Sequence, residues 1–137
     1  MFKDYNIEYK ITNNNNKARV AVVLQSKIKY TRLLNLESNN NSTMVLKIRQ
    51  TNRKYFILIA TYREWRHMGE EEALSKEGIM KQVERMKEIS KIVDNASNLN
   101  LPIIWAGDVN IDMNNKKQCS KKSRCENTKT NASRVHA

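Results

Sequence analysis

Leu101 to Asp112 reads LPIIWAGDVNID. A short apolar run opens at a proline and ends at a glycine, an aspartate and an asparagine. Four to eight apolar residues bounded by turn formers read as a strand, here Leu101 to Ala106. Asp108 and Asn110 stand two apart, so in an extended segment their side chains share a face. Both then point into a crevice at the carboxyl end of a buried strand, where open α/β sheets bind ligands. Gly107 carries no side chain, so a substrate backbone has room to come close. An Asp orients or deprotonates an attacking water, and an Asn amide donates to a developing oxyanion. An Asp-Asn turn that caps a strand leaves the same residues, so the four residues alone leave both readings open.

The chain upstream supplies the rest of such a sheet. Arg19 to Gln25, RVAVVLQ, is β-branched and reads as a buried strand, and Ile28 to Leu34 alternates loosely beside it. Thr43 to Gln50 and the KYFILIATYR that follows read as an antiparallel hairpin with Asn52 in its turn. Tyr55 to Thr61 is apolar almost throughout, as befits a central strand covered on both faces. From Glu70 to Ser97 the period changes. Ile79, Val83, Met86, Ser90 and Val93 recur at helical spacing, and Ile89, Ile92 and Ala96 widen the stripe. Lys81, Glu84, Lys87, Glu88 and Lys91 take the opposite face. Glu70 to Glu72 suit a helix start electrostatically, and Gly78 weakens it. No internal repeat is present.

The 137 residues suit one small domain, residues 1–114, followed by a polar, basic tail, 115–137, that reads as disordered. The order of several strands, a helix and a strand predicts an α/β fold with a mixed sheet and one long amphipathic helix. One Pro and three Gly are poor punctuation for a loop-rich β-sandwich. Net charge is +11, concentrated in the first sixty residues and the tail, which favours a polyanionic partner, nucleic acid first. Cys119 and Cys125 match no zinc spacing and read as free thiols of a reducing compartment. No apolar stretch spans a bilayer and MFKDYNIEYK is no signal peptide, which predicts an intracellular protein, nuclear or cytoplasmic and not secreted.

The GDVN phrase, preceded by PIIWA and followed by ID, resembles the GDFN motif of the endonuclease/exonuclease/phosphatase superfamily. The likeness is greatest to the endonuclease domains of LINE-type (non-LTR) retrotransposons. Ile57 to Trp65, ILIATYREW, resembles the strand there that ends in a Tyr, and RVAVVLQSKIKYTRLLNLES the strand pair before it. The resemblance runs from about Arg19 to Asp112. It implies a partial four-layered α/β sandwich and Mg²⁺-dependent cleavage of DNA phosphodiesters. In that reading Asp108 positions or activates the water and serves as a weak metal ligand. Asn110 and Tyr62 contact the scissile phosphate, and Arg63 adds a contact to the DNA backbone.

Other parts of the pattern depart from that family. Nothing in Met1 to Lys17 matches its metal-binding Glu strand, Glu8 in NIEYK included. His67 reads as a loop residue, and His136 lacks the Asp neighbour and strand of the family's Ser-Asp-His phrase. Val109 replaces the usual Phe. The expectation is therefore the middle of the domain with both ends lost. Such a chain is inactive by itself and leaves Phe56, Ile57 and Leu58 exposed. A non-catalytic basic remnant that holds nucleic acid by charge is the alternative function. A phospholipid or inositol phosphate substrate is a third reading, disfavoured by the basic balance. No obligate protein partner is inferred.

Overall fold

In a computed structural model, residues 3–13, 15–63 and 75–110 are described. Strands β1 (Tyr5–Thr12) and β2 (Asn15–Gln25) form an antiparallel hairpin. A second sheet takes β3 (Tyr30–Arg32), β4 (Ser42–Thr51), β5 (Lys54–Tyr62) and β6 (Ile103–Asp108) in that order. A 3-10 turn, Leu34–Leu36, follows β3, and helix α1 (Lys76–Ser97) connects β5 to β6. The first three strands of the larger sheet are antiparallel, and β6 joins β5 in parallel. The described residues are thus α/β, with a mixed sheet and one long helix.

Residue alternation in β5 sorts the core. Ile57 and Ile59 face α1 and pack with Val45, Ile92 and Ala96. Leu58 and Phe56 face the hairpin and pack with Leu24, Leu46 and Ile48. The larger sheet therefore lies between the hairpin and the helix. Burying side chains on both faces stabilises β5 by roughly 1.5–3 kcal/mol for each large aliphatic, and it explains the unbroken apolar run. Ile57 is fully buried and Phe56 and Leu58 are partly covered, so the exposure expected of these three is not found. The β1–β2 hairpin covers Phe56 and Leu58, and α1 covers Ile57.

That hairpin also revises the reading of the N-terminus. Glu8 does sit on a strand, and β2 begins four residues before Arg19. Of the supposedly buried RVAVVLQ only Leu24 is buried. A ladder of polar contacts holds the hairpin down. Lys10 Nζ donates to Glu37 Oε2 at 3.1 Å. Arg32 donates to both Glu37 oxygens, at 3.0 Å each, and to Glu8 Oε2 at 3.1 Å. Tyr30 donates to Glu8 Oε1 at 2.9 Å.

Helix α1 starts later than the periodicity suggested. Ser75 is its N-cap and accepts a hydrogen bond from the Gly78 amide at 3.0 Å, which satisfies one of the unpaired donors of a first turn. Glu70, Glu71 and Glu72 lie outside the described residues. The charged face is exposed as expected, but the buried stripe is Ile89, Ile92 and Ala96. Ile79 and Val83 stay 40% and 46% exposed, because the helix lies on the sheet through its second half. Strand β6 begins two residues after Leu101, behind Pro102, whose carbonyl accepts from the Ile57 amide at 2.8 Å. It is an edge strand in this sheet and exposed from Ile104 to Asp108, not buried. Among the described residues no helix is long and apolar enough to cross a membrane. The tail, 115–137, with Cys119, Cys125 and His136, lies outside the described residues, as does His67.

Candidate functional site

The parallel pairing of β5 and β6 brings two sequence-distant phrases together. Tyr62 pairs with Asp108, and across β4 Ser42 pairs with Tyr62. Neighbouring strands stand about 4.8 Å apart and paired residues point to the same side. Ser42, Tyr62 and Asp108 therefore form one polar row at the carboxyl ends of β5 and β6. The next row, Thr43, Thr61 and Gly107, points to the helix side. There the Trp105 indole donates to Thr61 Oγ1 at 3.1 Å, and the Thr61 hydroxyl donates to Thr43 Oγ1 at 3.3 Å.

Gly107 is required by its own neighbour rather than by a ligand. Its φ is +137°, a conformation that side chains rarely adopt. A Cβ there would sit 1.8 Å from the Thr61 carbonyl oxygen. The room expected for a substrate backbone is filled by β5.

Beyond β6 the chain turns sharply. The Asn110 amide donates to Asp108 Oδ1 at 2.7 Å, and Asn110 has φ +50°. This is a turn closed by an Asp side chain two residues back. The segment is not extended, so Asp108 and Asn110 are not related by strand alternation. The Asn110 side chain instead donates to the Arg63 carbonyl at 2.5 Å. It keeps one N–H and its carbonyl oxygen for other partners among the described residues.

Arg63 continues the ladder past β5, its amide donating to the Asp108 carbonyl at 2.8 Å. Its guanidinium turns inward, Nε to the Val109 carbonyl at 2.6 Å and Nη2 to the Asn110 carbonyl at 2.8 Å. Those carbonyls lie past the end of β6 and have no strand partner, which is why a long cation is drawn to them. The residue is 6% exposed. Burial pulls the guanidinium below its ordinary pKa, Arg85 acts in the same direction, and Asp108 opposes both. Arg63 thus holds the turn, with its guanidinium laid against the turn carbonyls rather than standing exposed at the strand end.

Sequence reasoning missed three neighbours of this mouth. Arg85 is half-buried on α1 and acts electrostatically on Arg63. Its position one turn before Ile89, on the sheet-facing stripe, was a readable signal. Ser42 is 2% exposed. The Ser42 hydroxyl and both amide atoms of Asn41 are buried without a hydrogen-bond partner among the described residues. Buried polar atoms of this kind call for a partner.

The resemblance implies Mg²⁺, and the donor set among the described residues does not by itself fit it. Among the described residues no three of His, Cys, Asp and Glu come together. Glu8 and Glu37 are engaged by Arg32 and Lys10. A hard cation needs several oxygen ligands to replace its water, and Asp108 is one. Compared with family models, curated proteins and solved structures, the chain matches none.

Proposed function

We propose that the mouth of β5 and β6 is a phosphodiester-binding site of a DNA endonuclease domain of the endonuclease/exonuclease/phosphatase type, retrotransposon-derived and built on a partial four-layered sandwich. The observation that carries this reading is the row Ser42, Tyr62, Asp108, closed by the Asp108–Asn110 turn. It unites Tyr62 and Arg63 with the GDVN phrase at one strand end. The Tyr62 hydroxyl and the remaining Asn110 N–H are donors for a phosphate oxygen. The second Asp108 oxygen is the acceptor for a water. Arg63 is a positioning residue, and Arg85 adds positive potential. The chain's +11 charge supports DNA as the partner.

A second reading is a non-catalytic nucleic-acid-binding protein. That Asp108, at a turn-capping position, is the one carboxylate of the mouth among the described residues favours it, because members of a catalytic unit act non-additively and one cannot stand in for the others. Both readings expect duplex DNA to bind with an affinity that falls steeply with salt. Plasmid relaxation in Mg²⁺ separates them. The chain alone is expected to leave the plasmid supercoiled. A hybrid that supplies the family's Glu strand upstream and its Asp-His segment downstream is expected to nick, and Asp108→Ala in that hybrid to abolish nicking. A hybrid that nicks equally well without Asp108 would remove the mouth from the chemistry.

A further inference from the structure

We propose that the outer face of the β1–β2 hairpin is a binding platform for single-stranded nucleic acid, separate from the mouth of β5 and β6 and independent of its chemistry. Strand β2 turns Leu24 and Val22 into the core, while β1 is built inside out. Its inward positions Lys10 and Thr12 are polar and buried. The outward positions of the hairpin are Tyr5, Ile7, Tyr9 and Ile11 on β1, with Val23 on β2, and each is 43–54% exposed. Pairing of Ile7 with Val23 and of Tyr9 with Ala21 makes these one continuous surface. A contiguous apolar patch on a small sheet marks an interaction site.

Charge selects the partner. Glu8 is the only acid in the two strands. It is turned inward, where Arg32 and Tyr30 hold it. The outward face of the two strands consequently carries no carboxylate among its described residues; Arg19 and Lys17 are exposed at one end of it, and Lys3 and Asp4 are exposed side by side at the other. An apolar protein partner accounts for the aliphatic residues but gives no reason for the two exposed cations, Lys17 and Arg19, set on strands without an outward carboxylate. A single strand accounts for both, because it offers unpaired base faces together with phosphates. Tyr5 and Tyr9 lie on one side of β1 about 13–14 Å apart, with Ile7 between them. Aromatic rings on a sheet are stacking surfaces for unpaired bases, and nearby cations track the backbone. A duplex hides its base faces and gains only the charge.

The test is fluorescence anisotropy of a short labelled oligothymidylate against the full chain, with a duplex of equal length beside it. The single strand is expected to bind more tightly than the duplex. Tyr9→Ala and Tyr5→Ala should each weaken single-strand binding about fivefold or more, while Tyr9→Phe keeps it. Arg19→Ala should lower the salt slope by roughly 0.7, and Lys91→Ala, on the charged face of α1, should leave affinity unchanged. Both tyrosines are exposed, so the variants are expected to keep the parent's circular dichroism. Affinity indifferent to both Tyr→Ala changes would overturn the platform and leave charge alone. So would sedimentation showing that the chain self-associates and that Tyr9→Ala abolishes this without touching oligonucleotide binding, since the occupant would then be a second copy.

Discussion

Two carboxylates, Glu37 and Asp108, sit at opposite extremes of engagement. Glu37 has a side chain 2% exposed and is met by Lys10, by two nitrogens of Arg32 and by the Val45 amide. Burial by itself would raise its pKa. The hydrogen bonds and charges of Arg32, Val45 and Lys10 outweigh that and hold it below the ordinary carboxylate value. Asp108 is exposed and accepts one backbone hydrogen bond. The difference separates a structural acid from an available one. Every lone pair direction of the first is occupied by a fixed donor, whereas the second retains an oxygen that solvent or a ligand can reach. Position in the fold, not residue type, decides which is which.

The largest expected effect tests the engaged member. Glu37→Ala would leave Lys10 buried without its anion and Arg32 with Glu8 alone, and is expected to cost about 3–5 kcal/mol of stability, read from urea unfolding. A loss under about 1 kcal/mol would show that water serves those cations as well as the carboxylate does. Gly107→Ala comes next. The added Cβ collides with the Thr61 carbonyl, and the strain of a forbidden backbone region alone is about 1–3 kcal/mol. Thermal unfolding would measure it, and an unchanged melting temperature would mean that β6 is free to move away from β5.

A pH titration sharpens the contrast. The folded Glu37 pKa lies below the unfolded value, so the unfolded chain binds more protons between the two. Its contribution is complete above the ordinary Glu pKa of about 4.3 and is lost as pH falls through the lower folded value. Glu37→Gln should flatten the acid limb of the stability profile. The smallest effect belongs to the available member. Asp108→Asn keeps an acceptor for the Asn110 amide and should change stability by less than about 0.5 kcal/mol. A larger loss would mean that Asp108 is as structural as Glu37.

Much of the central architecture was legible because its signals are local. The apolar run of β5, the Asn52 turn and the stop at Pro102 each need only a few residues to read, and β5 and β6 are neighbours with the helix packed beside them. Tyr62, Arg63, Asp108 and Asn110 do meet at one strand end. The hairpin β1–β2 was not legible as a layer. Its β1 alternation is plain, but the apolar residues face outward, and a search for a buried strand passes over it. Ser42 was hidden by register. The turn pairs Thr51 with Lys54, and that register run backward would set Thr43 opposite Tyr62. An irregularity between Arg49 and Thr51 shifts it by one and puts Ser42 there instead. A one-residue shift exchanges the faces of a strand, and nothing in the local sequence announces it.

The parallel pairing of β5 with β6 also sets an order of events. Strands β4 and β5 are joined by two residues and can zip together within microseconds. Ile57 and its partner Ile103 are separated by the whole of α1, so their pairing must first close a long loop and meet its entropy. Thr61 and Tyr62 therefore reach their final strand before Gly107 and Asp108 arrive beside them. The turn at Asn110, with the Arg63 guanidinium laid across its carbonyls, closes only after β6 has docked, and the bonds that reach from Arg63 to that turn make it the clasp on a late-arriving strand.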